Sequence, residues 1–218
     1  YRYDVLVVGG GTAGSAAAYW LAKAGHDVLV VEKKVFPRDK TCGDGLTPRA
    51  VHQLDEMGLS AELERYHRYG GLRAIAHGRT IEMAWPEHPV FPSHGYVVRR
   101  CDLDQFVAEN AVLAGAELWL GAEAVAPILR DGLVVGATIK RKHGDEAGTT
   151  VDVSARYVVI ADGANSRFGR ALGTSRNRSF PQGMAIRGYY ESPLHAEPWI
   201  ESALDVRDRK GASPPGYG

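Results

Sequence analysis

Val5-Leu6-Val7-Val8-Gly9-Gly10-Gly11-Thr12-Ala13-Gly14 is the stretch whose reading decides the fold. Four apolar, mostly β-branched residues predict a buried strand, and the glycines after them predict a turn. Ala16, Ala17, Ala18, Leu21, Ala22 and Lys23 then supply a helix that ends at Gly25. Val28 to Val31 form a second apolar run with Glu32 at its carboxyl end. Strand, helix and strand in this order predict a βαβ unit and hence a parallel sheet. The glycines at 9, 11 and 14 make a G-x-G-x-x-G loop between strand and helix. In such a loop Gly9 allows the tight turn, Gly11 lets a pyrophosphate approach the backbone, and Gly14 lets the helix lie close on the sheet. Glu32, at the end of the second strand, suits the hydroxyls of a ribose, and its charge argues against a 2′-phosphorylated nicotinamide cofactor. A glycine turn alone would fit any α/β protein. The complete strand, loop, helix, strand and acid point to a dinucleotide.

Working outward, residues 48–66 open with Pro48 and read as two short helices broken near Gly58. Residues 71–98 turn into short β-like pieces separated by Gly, Pro and His, an excursion from the nucleotide domain. Residues 102–114 are again helical. Residues 118–120, 122–128, 133–139 and 150–153 read as strands, with turns at Asp131-Gly132 and Gly144-Asp145. Residues 157–161 read as a third buried strand, and residues 184–190 and 200–206 as the start of another sheet. The 218 residues hold 26 Lys plus Arg and 26 Asp plus Glu, for zero formal net charge. That balance excludes a uniformly basic nucleic-acid binder. The 26 glycines exceed average usage of roughly 7%, and the loop at 9–14 accounts for part of the excess. Residues 5–22 carry no charge over a length that could span a membrane, but the glycines cut this run into a strand and a helix. Cys42 and Cys101 give neither a disulfide framework nor metal-ligand spacing, so no metal is expected and a reducing, cytoplasmic setting fits. The first residues run almost at once into a strand, so no signal peptide is expected.

A second motif selects among dinucleotides. Val158 to Ala161 lead into Asp162-Gly163-Ala164-Asn165-Ser166-Arg167-Phe168-Gly169-Arg170. This segment resembles the Asp-Gly fingerprint of flavoproteins with the para-hydroxybenzoate hydroxylase fold. The resemblance implies FAD, with Asp162 and Gly163 at its ribityl chain and Ser166 capping the next helix. It also implies cofactor contacts by Lys33 beside Glu32, and by Arg100, next to which stands Arg99.

A third motif, Phe36-Pro37-Arg38-Asp39-Lys40-Thr41-Cys42-Gly43-Asp44-Gly45-Leu46-Thr47-Pro48-Arg49, resembles the segment of the geranylgeranyl reductase family that carries a Cys-Gly pair beside the flavin. Within that family the run from Phe36 to Val51 is most similar to actinobacterial menaquinone-reducing members. The resemblance extends over the chain, including Trp85-Pro86 and Arg187-Gly188-Tyr189. Pro214 to Tyr217 look like the opening of the family's substrate-pocket motif P-x-x-Y-x-W-x-F-P. The family's later Gly-Asp flavin motif has no counterpart in these 218 residues, so the chain reads as the amino-terminal part of a longer flavoenzyme.

The fold expected is α/β: a Rossmann-like FAD-binding domain with a β-meander over 1–72 and 97–175, and the incomplete start of a mixed-sheet substrate domain over 73–96 and 176–218. The resemblance implies an FAD-dependent reductase of isolated C=C bonds in the polyprenyl chain of a lipid or menaquinone. Its external electron donor would be NAD(P)H or a ferredoxin-like protein, and contact with the inner face of the membrane would be peripheral. Cys42 is the candidate proton donor or flavin neighbour, against the plainer reading of a small, partly buried thiol. Tyr217 would line the substrate pocket. Arg167, Arg170, Arg176, Arg178 and Arg187 form a basic stretch, readable as a site for anionic headgroups or a prenyl diphosphate, or as a solvated face with its counter-charges elsewhere. Two other readings of the whole are an FAD-dependent aromatic monooxygenase of the same fold and a truncated, non-catalytic remnant.

Overall fold

The computed structural model of the chain describes all residues except 145, 175–178, 181–182, 184 and 213–218. In chain order the elements begin with β1 (Arg2–Val8), α1 (Thr12–Lys23) and β2 (Val28–Glu32). There follow β3 (Gly45–Leu46), α2 (Pro48–Glu56), α3 (Ser60–Leu63), β4 (His67–Tyr69), β5 (Gly71–Ala76), β6 (Arg79–Ala84) and β7 (Gly95–Val97). Then come α4 (Arg100–Leu113), β8 (Glu117–Leu120), β9 (Ala122–Arg130), β10 (Leu133–Arg141), β11 (Thr150–Ile160), α5 (Arg167–Ala171) and β12 (Trp199–Ala203). The chain divides into two compact units, residues 1–41 with 100–185, and residues 42–99 with 186–218.

The first unit is built on a six-stranded sheet of order β8-β2-β1-β11-β10-β9. β1 pairs in parallel with β2 and β11, and β2 in parallel with β8, while β11, β10 and β9 form an antiparallel meander. All five residues of β2 are buried, as a strand covered on both faces should be. Leu6, Leu29, Ile139, Val153, Trp119 and Phe168 share one core, so the meander and the parallel half fold around common side chains. Truncating Leu6 or Leu29 to Ala would cost about 2–5 kcal/mol, the range for fully buried leucines. α1 lies against α4 and β2, and α5 against β9.

The second unit carries two three-stranded sheets, β12-β5-β6 and β3-β7-β4. α2 starts at Pro48, where the missing N–H is no loss. Its buried Val51 and Leu54, with Leu63 of α3, face the interior of this unit.

Two sequence expectations change. Residues 150–153 and 157–161 are not separate strands: β11 runs unbroken from Thr150 to Ile160. The polar residues that interrupt its apolar pattern have partners, since Ser154 Oγ donates to the Tyr1 carbonyl at 3.1 Å and Arg156 pairs with Asp4 at 3.4 Å. Nor is its end fully buried, as Tyr157 is 67% and Ile160 40% exposed. Residues 185–190 form no strand, and the later strand is β12, Trp199–Ala203. The turn at Asp131-Gly132 is present, both residues having positive φ, while Asp145 lies outside the described residues.

Candidate dinucleotide site

The site lies at the carboxyl ends of β1, β2 and β11. Gly9 N donates to the Val31 carbonyl at 2.9 Å, and Ala161 N to the Val8 carbonyl at 2.8 Å, which ties the three strand ends together. A β-carbon on Gly14 would collide with the carbonyl oxygen of Gly9, so only glycine lets α1 start this close to the strand. Gly11 differs: a β-carbon there would meet nothing nearer than 3.6 Å, where Arg38 Nη2 and Lys40 Nζ stand. Gly11 is also the N-cap of α1, and the first turn of that helix contains no acid. Its unpaired N–H groups and the positive end of the helix dipole favour an anion at this point.

Glu32 is buried at the end of β2, as its position in the sequence predicts. Its Oε2 accepts from Gly10 N at 3.0 Å and its Oε1 from Lys34 N at 3.0 Å, so loop and strand end are joined through this carboxylate. Arg38 Nη2 adds a third contact at 3.4 Å. On the far side of the sheet order, Asp162 Oδ2 accepts from Arg167 N at 3.1 Å and Phe168 N at 3.4 Å. Ser166 Oγ accepts from Gly169 N at 2.7 Å and so caps α5. Asp162 Oδ1 is buried without a partner. A buried carboxylate oxygen in that state asks for a donor, and a ribityl hydroxyl is one.

These residues surround a cleft of about 690 Å³. Gly9, Gly11, Glu32, Lys33, Asp162 and Gly163 line it, which brings together six of the residues singled out from the sequence. Its cations include Lys34, Arg38, Lys40, Arg167 and Arg170, a setting suited to a diphosphate. Glu123, also in the lining, is hydrogen-bonded by Lys142 Nζ at 2.6 Å. That bond holds its carboxyl below the ordinary value, and Lys33 and Arg167 pull the same way against the effect of burial. The cleft therefore offers hydrogen-bond acceptors at both ends and cations between them, which fits FAD on the residues present.

Other expected site residues stand elsewhere. Gly14 lies beneath the loop rather than in the lining. Arg100 is buried, with Nε and Nη2 donating to Asp104 Oδ1 at 3.0 and 2.6 Å, and it is not a lining residue. Cys42 belongs to the second unit and is free and exposed, so the reading of it as a partly buried thiol is corrected. Its backbone oxygen accepts from Arg187 Nη1 at 3.4 Å. Arg187 also pairs with Asp44 at 3.2 Å, Tyr189 OH donates to Asp44 Oδ2 at 2.9 Å, and the Arg187 guanidinium lies 4.8 Å from the Tyr189 ring centroid. Tyr217, Arg176 and Arg178 lie outside the described residues. Of the basic stretch, Arg187 thus has its counter-charge at Asp44, and Arg167 and Arg170 face the dinucleotide cleft.

Sequence reasoning missed Arg38, Lys40 and Asp104. Arg38 and Lys40 stand within the quoted Phe36 to Arg49 segment. Asp104 carried one local signal, its place four residues after Arg100 on a helix.

Comparison with known proteins agrees with this geometry. Residues 2–187 match the family described as FAD binding domain. The chain is 45% identical over 215 residues to a menaquinone reductase of Mycobacterium tuberculosis, covering 99% of this chain and 51% of that protein. It is 36% identical over 177 residues to digeranylgeranylglycerophospholipid reductase 1 of Methanopyrus kandleri, covering 79% and 42%. Among solved structures, a geranylgeranyl bacteriochlorophyll reductase-like protein from Thermoplasma acidophilum superposes with a TM-score of 0.72 at 28% identity, over 93% of this chain and 50% of that one. The chain spans about half the length of the curated relatives it matches. It belongs to the FAD binding domain family and, within it, is a flavoprotein of the geranylgeranyl reductase family.

Proposed function

We propose that the protein is an FAD-dependent oxidoreductase that reduces isolated C=C bonds in the polyprenyl chain of a lipid or of menaquinone. The observation that carries this reading is the 45% identity to a menaquinone reductase over 99% of the chain. Reduction of an unactivated alkene needs a hydride at one carbon and a proton at the other. FAD, when bound and reduced by the external electron donor (NAD(P)H or a ferredoxin-like protein), would supply the hydride and return to its oxidised form. The residues of the first unit hold and orient the cofactor: Gly9, Gly11 and Gly14 at the diphosphate, Glu32 and Lys33 at the adenosine side, Asp162 and Gly163 at the ribityl side, with Arg100 behind them. Cys42 Sγ–H is the proposed proton donor. Its exposure gives the thiolate left behind a route to recover a proton from water. Arg187, Asp44 and Tyr189 fix the loop on which the thiol stands.

The functional division we infer assigns 1–72 and 97–175 to the cofactor, and 73–96 and 176–218 to the substrate side, with Tyr217 in the prenyl pocket. The compact units divide at 41/42, 99/100 and 185/186, so residues 42–72 belong to the second compact unit. No helix among the described residues is long and apolar enough to cross a membrane. We infer peripheral contact with the inner membrane face from the substrate class, since a polyprenyl chain resides in the membrane. The test is anaerobic incubation of the reduced holoenzyme with a menaquinone or geranylgeranyl lipid, followed by mass spectrometry. Two hydrogens gained per double bond support the reading, whereas a gained oxygen under aerobic turnover replaces it with aromatic monooxygenation. Cys42→Ala should lower alkene reduction by about a hundredfold, the lower end of the usual contribution of a general acid, and leave the flavin spectrum intact. Unchanged turnover would remove Cys42 from the mechanism.

A further inference from the structure

Below the phosphate loop, four charged side chains alternate in sign: Glu32, Arg38, Asp104 and Arg100. The Arg38 guanidinium is braced on three sides. Its Nη2 reaches Glu32 Oε2 at 3.4 Å, its Nη1 reaches Asp104 Oδ2 at 3.0 Å, and the Phe36 ring centroid lies 5.2 Å away. Arg100 holds the other oxygen of Asp104 through two hydrogen bonds, which fixes the Asp104 carboxylate with Oδ2 turned to Arg38. Asp104 is wholly buried, and the Arg38 side chain is only 9% exposed.

A purely structural ion network would satisfy its donors and acceptors. Among the described residues this one does not: Arg38 Nε is buried with no acceptor, and Asp104 Oδ2, although ion-paired to Arg38, is buried with no hydrogen-bond donor. The unmet N–H belongs to a side chain in the cleft lining, whose Nη2 stands 3.6 Å from where a β-carbon on Gly11 would be. Lys40 Nζ stands at the same distance from that point, and Lys40 has no carboxylate partner among the described residues. Glu32 and Asp104 neutralise Arg38 and Arg100, so the Lys40 charge is left over at the positive end of α1. An anion with several acceptor oxygens over Gly11 would meet both cations.

We propose that Arg38 and Lys40 form a two-cation clamp that closes over the diphosphate of the bound dinucleotide at Gly11, and that Asp104 is the positioning residue that aims Arg38. The clamp acts on the diphosphate and not on the flavin, so it stands whether or not the enzyme reduces prenyl chains.

The test is binding of FAD, followed by quenching of flavin fluorescence, and of ADP by competition, with the melting temperature of each ligand-free variant measured alongside. Arg38→Met and Lys40→Met should each weaken FAD and ADP in parallel, roughly ten- to a hundredfold, the loss expected for one charge-assisted contact. Each should also flatten the salt dependence of ADP binding. Arg38→Lys should recover part of the loss. Asp104→Asn should weaken both ligands less than Arg38→Met, and should add little once Arg38 is already Met, the non-additivity expected of a residue acting through another. Unchanged ADP affinity in Lys40→Met and Arg38→Met would overturn the clamp, as would loss of FAD without loss of ADP. Additive losses in the Arg38, Asp104 pair would overturn the positioning role. Lys40 is half-exposed and outside the buried network, so its variant reads the clamp even where an Asp104 variant does not fold.

Discussion

Two arginine–carboxylate clusters, one in each unit, use the same chemistry under different conditions. In the first unit Arg38 and Arg100 share Asp104 and Glu32, and none of the four side chains is more than 9% exposed. In the second unit Arg73 of β5 meets Glu82 of β6, Glu201 of β12 and Glu197 at 2.7–2.9 Å, with those carboxylates 35–46% exposed. The buried cluster balances two cations against two anions. The surface cluster sets one cation against three anions, an excess exposed to screening by solvent and salt. Register explains most of the second: Arg73 is directly opposite Glu82 on one side and Glu201 on the other, so the sheet delivers these two contacts, and Glu197, just before β12, adds the third. The first is assembled from β2, the loop after it and α4, and it exists only because the tertiary fold brings them together. Burial, not the number of ion pairs, decides what such a cluster is worth.

The largest effect that breaks the comparison is Asp104→Ala. It leaves two buried arginines facing each other without their shared acid, and unfolding in urea should show a loss of about 3–5 kcal/mol. A loss within the range of ordinary surface substitutions would place the cluster in contact with water after all. Arg73→Met is next. It should lower the urea midpoint slightly, and roughly 0.5 M salt should bring variant and parent together, whereas the same salt should leave the Asp104→Ala loss in place. Persistence of the Arg73→Met loss at high salt would mean that packing of its stem, not its charge, is what counts.

The smallest effect involves His94, in the second unit, whose Nδ1 lies 3.1 Å from Arg68 Nη2 and whose ring meets Tyr96 edge to face. Burial first, and then the Arg68 charge, hold its pKa below the ordinary 6.5, while Asp55 pulls the other way. The unfolded chain therefore binds this proton more readily than the folded one. Its contribution to stability is complete above pH 6.5 and declines as the pH falls through the folded value. His94→Gln should flatten that decline in melting temperature, and identical pH profiles would contradict the assigned shift.

The parallel half of the first unit was legible because each of its signals is local. The apolar run at 5–8, the glycines that follow and the acid at 32 reappear as β1, the loop and the end of β2. Asp162 and Ser166 were equally local, and both make the contacts that a strand end and a helix cap should make. What stayed hidden depends on distance in sequence. Nothing near Arg38 announces Asp104, and nothing near Asp44 announces Arg187. In the sequence β11 reads as two pieces because Ser154 and Arg156 break its apolar pattern, although their partners, the Tyr1 carbonyl and Asp4, lie at the other end of the unit's sequence. The segment 185–190 fails as a strand for the opposite reason. Its Ile186 and Tyr190 are about nine-tenths exposed, so the β-rich composition has no face to bury.

β11 works as a gauge of length. Its first five residues pair with β10 and the rest with β1, and Ser154 is matched on both sides. A residue added in the connection between β10 and β11 stays in the connection. One added between Ser154 and Ala161 turns every later side chain to the opposite face and carries Asp162 away from the cleft. Proteins that share this sheet are thus free to differ in how β10 returns to β11, and are held to a fixed count of residues from there to the aspartate.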